Sequence, residues 1–342
     1  HDLVTLYPFE GATNRTAAII IRKTPRSRRE YEFPHVVWAN PSKKPIPGDV
    51  SLEEVLAVTS RYPIAMIPIL KNDPSSPWAQ ISKEAYNALR KLLGRSQYEA
   101  HAGIYTSLNQ VYYVDILDQL HDGTLLITNP ERPGQKKRVR VIKAKVEPEI
   151  VYPLVRGRDV KKWYVDYEYG YILIPHDPSS GKPYPITIMK TKYPNAFEYL
   201  LSFKEELKRR TIKPFIALHK QLQKLKKEIQ RNKNRRTAYF KQLKEVEQKL
   251  EKQFYILDNI GEYTFKPYIV VCKYVAGAIT GKAEFACTVL EPINDKFLGT
   301  RPLIPNEKLM LVALDDAEEA YYLSGVLNSS FVRALAASYM VE

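Results

Sequence analysis

Cysteine is almost missing. The 342 residues hold two, Cys272 and Cys287, too few for a disulfide framework. No CxxC or HxxxH spacing suggests a zinc site. Both cysteines sit in apolar, strand-like text and read as buried packing residues, which suits a reducing cytoplasm. Long apolar runs are missing too: none approaches the roughly 18 residues that span a membrane, so no membrane partner is expected. No secretory signal is visible. The chain starts at His1 rather than Met, and "HDLVTLYPFEG" already reads as folded text. It is therefore expected to begin inside a larger protein.

Several chemistries are also missing. The six histidines are scattered, and none has a neighbour at ligand spacing. No GxxxxGK[ST] phosphate loop occurs. Adenine methyl transfer needs a Gly-rich turn after a strand to cradle S-adenosylmethionine. It also needs an Asn/Asp-Pro-Pro-aromatic loop to hold the amino group. "ANPSKK" and "TNPERP" lack the second proline and the aromatic. "GIY" at Gly103–Tyr105 has no matching YIG, and Glu247-x-Lys249 lies in text full of Glu and Lys, so neither supports a nuclease.

Positive charge is plentiful. Lys and Arg number 52 against 38 Asp and Glu, a net +14, which favours an anionic partner. Much of the excess is local: residues 203–253 hold 17 Lys and Arg against 6 Glu, a net +11. Here Leu218, Leu222, Leu225 and Ile229, then Leu243, Val246, Leu250 and Phe254, repeat at helical spacing. They predict an antiparallel helical hairpin over 203–254, joined near Asn232–Asn234. Its charge either clamps DNA or solvates a protruding coil. At the tip Arg231, Lys233, Arg235 and Arg236 lack nearby acids, which tilts the tip toward phosphate.

Elsewhere the pattern predicts three segments. Residues 1–32 read as two strands around a turn, with Ala17–Ile21 a buried strand. Residues 33–99 read as a connector, Pro-rich and irregular to 50 and mostly helical over 51–94. Ser51 with Glu54 forms a capping-box pattern, and Ser82 repeats the start signal. From 100 to 342, short β-prone runs separated by Gly, Asn and Pro predict a sheet-rich domain. One helix is expected over "DAEEAYYLSGVLNSSFVRALAASY".

The most suggestive stretch is "VYPLVRGRDVKKW", residues 151–163. Arg156 and Arg158 flank Gly157, so in an extended segment both project to one side. Arginine forks bind phosphate or read guanine, and Lys161 and Lys162 suit phosphate as point charges. Alternatively, Asp159 pairs with an arginine and braces the loop. Both readings are compatible. Upstream, Arg132, Lys136, Lys137, Arg138 and Arg140 cluster. Val139 and Val141 alternate with Arg138 and Arg140, which predicts a strand with one basic and one apolar face. That basic face either follows a DNA backbone or is simply solvated.

Three stretches together resemble adenine-N6 DNA methyltransferases of restriction–modification systems. "PFEGATNRTAAIIIRK" (8–23) resembles the last strands of their catalytic domain. "HAGIYTSLNQVYYV" (101–114) resembles the opening of their target-recognition domain, with a Gly-x-x-Thr-x-x-Asn turn at Gly103, Thr106 and Asn109. "VYPLVRGRDVKKW" with "YGYILIPHD" resembles the Arg-Gly-Arg/Lys-Asp turn of the TaqI-like specificity domain. "GEYTFKPYIVV" and "AYYLSGVLNSSFVR" are similar to later strands and the closing helix. The hairpin looks like an insertion.

The resemblance implies an α+β chain: the end of a Rossmann-like methyltransferase sheet, a helical connector, and a β-rich recognition domain carrying the hairpin. It implies double-stranded DNA as partner, with Thr106 and Asn109 joining Arg156, Arg158, Lys161, Lys162, Arg138, Arg140, Lys136, Lys137, Arg235 and Arg236 as DNA-binding residues. Phe9, or Tyr7 nearby, would stack on an extruded adenine. The missing catalytic motifs would lie upstream, in the same polypeptide or a partner chain. S-adenosylmethionine would serve the full-length enzyme, with none expected on this chain. Two other classes stay open: a non-catalytic DNA-binding specificity subunit, and a protein-interaction module built on the basic hairpin.

Overall fold

A computed structural model describes residues 3, 17–20, 33–42, 44, 46–70, 73, 75–94, 96–133, 137–167, 170–231, 236–273 and 285–339. The fold is mixed α+β. Its contacts divide it into two compact units, 1–97 with 329–342, and 98–328. The closing segment from Ser329 thus groups with the N-terminal unit rather than with the sheet-rich one.

In the first unit, β1 (Phe33–Ala39), β2 (Ser60–Pro68) and β3 (Trp78–Ile81) form an antiparallel sheet in the order β1-β2-β3. Helix α1 (Leu52–Val58) starts at the expected capping box. Ser51 N–H donates to the Glu54 carboxylate at 2.7 Å, and Glu54 N–H donates to Ser51 Oγ at 3.2 Å. Helix α2 (Lys83–Leu89) starts after Ser82, whose Oγ accepts from Ala85 N–H. A C-terminal helix, Ser330–Tyr339, packs on β3 and α2.

The expected mostly helical connector is therefore corrected: its helices are short, and strands occupy 33–39, 60–68 and 78–81. Prolines misled the reading. Pro34 lies on the edge strand β1, and Pro63 precedes the stretch of β2 that β3 covers, so neither interrupts a two-sided ladder. The expected buried strand at Ala17–Ile21 is also corrected. Ile19 and Ile20 are 81% and 85% exposed, with only a bridge residue at Ala17. Tyr7, Phe9 and Ile21 lie outside the described residues.

The second unit is built on two main sheets. Its elements in chain order are β4 (His101–Ala102), α3 (Asn109–Tyr112), β5 (Tyr113–Gln119), β6 (Leu125–Thr128), β7 (Lys143–Val146), β8 (Val151–Val155), β9 (Tyr171–Leu173), α4 (Ile186–Lys192), α5 (Pro194–Leu201), α6 (Lys204–Lys208), α7 (Lys213–Arg231), α8 (Arg236–Gln253), β10 (Tyr268–Lys273), β11 (Cys287–Leu290), β12 (Ile293–Asp295), β13 (Gly299–Arg301), β14 (Ile304–Pro305), β15 (Leu309–Leu314) and α9 (Ala317–Leu327). One sheet runs β14-β8-β9-β5-β6-β7 and the other β11-β10-β15-β4, with β12-β13 a separate ribbon. Strands β8 and β9 are buried throughout and read as unbroken apolar runs.

The expected hairpin forms as α7 and α8. Leu225, Leu243 and Val246 are buried along its seam, flanked by Leu218, Leu222 and Ile229. Leu250 and Phe254 belong instead to the main core, so the hairpin is rooted in the domain. At this base Glu251 bonds both Lys204 and Lys208.

One residue ties this core together. Arg210 is 1% exposed and faces no carboxylate among the described residues. Its Nε donates to Leu207 O at 3.0 Å, Nη1 to Thr106 O at 2.9 Å, and Nη2 to Phe254 O and Ile256 O, both at 2.7 Å. The guanidinium carbon lies 5.1 and 5.3 Å from the Tyr112 and Phe215 ring centres. Burial still lowers its pKa. His176 is buried nearby and accepts from Leu257 N–H through Nε2, while its Nδ1 has no partner. Burial, helped by the Arg210 charge, holds its pKa down to about 3.

Three other expectations are corrected. Cys272 and Cys287 pair across β10 and β11 with Cα atoms 4.3 Å apart, and their sulfurs are bonded. The antiparallel register sets them face to face, which spacing alone did not reveal. That pairing does not favour the reducing cytoplasm that two lone thiols suggested. The single closing helix is two, interrupted at Asn328. The buried Asn328 amide accepts from Cys287 N–H at 3.0 Å and donates to Cys287 O at 2.7 Å, as a strand neighbour would. Finally, residues 138–142 are not a strand. Buried side chains satisfy their backbone instead: Gln110 bonds both polar groups of Val139, and Asn129 bonds Arg140 O and Ile142 N. Val141 is exposed beside the arginines, so no basic and apolar faces separate.

Arg210→Met would strand the buried carbonyls of Thr106, Phe254 and Ile256, each costing about 1–3 kcal/mol, while Leu207 O keeps the backbone N–H of residue 210. The expected loss is about 3 kcal/mol or more, seen as a Tm drop of about 6–12 °C. Arg210→Lys should recover only part, since an ammonium has three donors and no fork. His176 gives a pH signature. Between pH 6.5 and 3 the unfolded chain takes a proton that the folded chain refuses, so stability falls as pH drops through that window. The full loss is about 4–5 kcal/mol. Urea midpoints from pH 7 to 4.5 should fall more steeply for the native chain than for His176→Gln, whose carboxamide still accepts from Leu257 but does not titrate.

Candidate nucleic-acid interface

Buried β8 delivers the chain to a tight turn at its end. Asp159 N–H donates to Arg156 O at 2.9 Å, closing residues 156–159. The stretch is thus a turn and not the extended segment expected from the Arg-Gly-Arg pattern. Asp159, 2% exposed, braces it. Its Oδ2 accepts from Arg156 N–H at 2.8 Å and from Arg156 Nε at 3.2 Å, and its Oδ1 lies 3.5 Å from Arg158 Nε. The bracing reading of the stretch is therefore met: the acid pairs with both arginines and fixes them. The Arg156 side chain is 15% exposed and that of Arg158 is 64% exposed.

A second turn, 306–308, packs beside the first. Asn306 N–H donates to Val155 O at 2.9 Å, and Leu309 N–H closes on Asn306 O at 3.0 Å. Two glycines allow the approach. A Cβ on Gly157 would sit 3.2 Å from Lys308 Cβ, and one on Gly103 would sit 2.2 Å from Asn306 O. Any side chain at 103 would push the turn away.

A third wall is the Gly-x-x-Thr-x-x-Asn turn. Thr106 is fully buried. Its hydroxyl donates to Asn109 Oδ1 and accepts from Leu108 N–H, while its carbonyl accepts from Arg210. Thr106 therefore shapes the turn from inside rather than offering a contact, which corrects its expected role. Ser107 follows at φ 56°, and its Oγ accepts from Thr211 N–H.

Together these walls enclose a cleft of about 810 Å³. Arg132, Lys137, Arg156, Arg158, Lys273 and Lys308 line it, with Glu307 the one acid among the described residues and Asn109 and Gln110 among the neutral groups. Asp115, 2.5 Å from Arg132 Nη2, and Asp159 soften the field but fix their guanidinium groups. Tyr113 OH donates to Glu307 at 3.1 Å. Burial first, then the Glu307 charge, pushes the Tyr113 pKa well up, so the phenol stays a donor.

No protein-family model matches this chain, and no curated protein does. The cleft's own chemistry must supply the ligand class. Several cations and carboxamides in an open concave surface suit a polyanion with hydrogen-bonding edges.

Asn109, Lys137, Arg156 and Arg158 of the expected residues meet in this cleft. The other described ones are not among its lining residues. Arg138 pairs with Glu131 at 2.9 Å. Arg140 donates to Ser202 O and lies over the Phe203 ring. Lys161 donates to Arg158 O, and Lys162 lies over the Trp163 ring. Arg236 opens α8. Lys136, Lys233 and Arg235 lie outside the described residues. Sequence reasoning missed Arg132's place in the cleft, and Lys273, Glu307 and Lys308 entirely. Lys273 ends β10 and Glu307 and Lys308 lie in the turn between β14 and β15, all distant in sequence from the motif, and no local pattern marks them.

Asp159→Asn removes the charge that both arginines share, and the expected cost is about 1.5–3 kcal/mol. Arg158→Ala, at the exposed end, should cost no more than about 1 kcal/mol. Equal urea midpoints for the two variants would show that Asp159 is no brace.

Proposed function

We propose that the chain recognises double-stranded DNA as the C-terminal portion of an adenine-N6 DNA methyltransferase of a restriction–modification system. The observation that carries the DNA reading is the cationic cleft built from three turns. The methyltransferase part rests on the order of the resembling stretches along the chain. In this reading 100–342 is the target-recognition domain and 1–32 ends a Rossmann-like catalytic sheet. Phosphate contacts from the lysines set position, and a few side chains read bases.

S-adenosylmethionine finds no evident home in the described residues. A cleft rich in cations is a poor match for a sulfonium, and no Gly-rich turn follows a strand among the described residues. No catalytic step is assigned to this chain, and the purified chain should not methylate DNA alone. The remaining catalytic parts would come from upstream sequence or a partner chain. A native product starting near residue 1 would instead favour a non-catalytic specificity subunit.

The hairpin supports a second DNA contact. Lys220, Lys224 and Lys227 recur at spacings of four and three along α7 and line a shallow groove. If the hairpin served protein contacts instead, cleft variants would leave partner binding untouched.

Electrophoretic shifts on duplex DNA test the reading. The native chain should bind with affinity that falls steeply with salt, at a log–log slope of about −0.9 per phosphate neutralised. Arg156→Ala/Arg158→Ala should weaken binding by about tenfold or more. Absent binding, or binding indifferent to the double substitution, would overturn the cleft as the DNA site.

A further inference from the structure

Glu307 is out of place electrostatically. It sits among Arg156, Arg158, Lys273 and Lys308 in a cleft whose chemistry suits phosphates. A carboxylate there repels the same phosphates that its neighbours attract. It is not a balancing charge for one cation, because no ion pair holds it among the described residues. Its single hydrogen bond comes from the neutral Tyr113 hydroxyl. That bond occupies Oε2 and leaves Oε1 to a ligand.

The position is also strongly built. The turn 306–308 is tied to β8 through Asn306 N–H and Val155 O, and Asn306 Oδ1 accepts from Lys308 N–H at 3.2 Å. Gly103 and Gly157 let two other turns close on it. Tyr113, buried in the core, holds the carboxylate from behind. A surface acid that merely aids solubility needs none of this.

We infer that Glu307 is a specificity-determining residue that accepts a hydrogen bond from an exocyclic amino group, cytosine N4 or adenine N6, at one position of the recognised duplex. This rests on the DNA reading above and deepens it. A carboxylate accepts only, so it complements the amino edges of cytosine and adenine and opposes the acceptor edges of guanine and thymine in the major groove. The cations around it supply affinity without sequence, and Glu307 supplies discrimination.

The test is selection of bound duplexes from a randomised pool, with the full chain, its Glu307→Lys and Glu307→Gln variants, and Tyr113→Phe. The native chain should select cytosine or adenine at one position. Glu307→Lys should shift that position to guanine by about tenfold or more, through a donor to O6 and N7, and leave other positions unchanged. Glu307→Gln, nearly isosteric, should narrow the position toward adenine, and it carries the test if the lysine variant fails to fold. Tyr113→Phe should loosen the preference at that position alone. Unchanged selected sequences with a uniform rise in affinity for all duplexes would overturn the inference and leave DNA binding standing. So would native binding without any preference. No retention of duplex by the native chain would overturn both.

Discussion

The architecture of the larger unit depends on a buried positive charge neutralised by dipoles. Arg210 has no carboxylate partner among the described residues, so four carbonyls and two aromatic faces must do that work. Those carbonyls belong to three stretches remote in sequence: the turn at Thr106, the end of α6, and the segment after α8. The guanidinium is satisfied only when all three are in place. Its geometry thereby couples the floor of the cleft to the root of the hairpin. Desolvation makes such an arrangement expensive when incomplete, which favours one packing over near alternatives.

The cleft repeats the logic in miniature. A buried acid, Asp159, holds two arginines, and two glycines let three turns close together. Side chains that would contact a ligand are thus set by groups that would not. Thr106 is the clearest case: it carries the motif's signature, yet it is wholly interior. A residue can mark a site in sequence because it builds the site.

Local signals were legible. The capping box at Ser51 and Glu54 and the leucine spacing of the hairpin both follow from short-range pattern. Arg156, Arg158, Lys137 and Asn109 were legible as polar text around turns. What escaped was non-local. Nothing near Cys272 tells that register sets it opposite Cys287. Nothing near Val139 tells that Gln110 replaces a strand partner. Glu307 and Lys308 reach the cleft only because β14 lies parallel to β8, a pairing across about half the chain. Proline was over-read as irregularity in β1, where edge geometry tolerates it.

The hairpin leaves the domain just after Arg210 and returns at Phe254 and Ile256, whose carbonyls that same side chain holds. Departure and return are stapled at a single point. Everything beyond the staple is a cassette: adding or removing matched helical turns from α7 and α8 would alter its reach without disturbing the surface below. Related chains could therefore differ widely in arm length while preserving one grip.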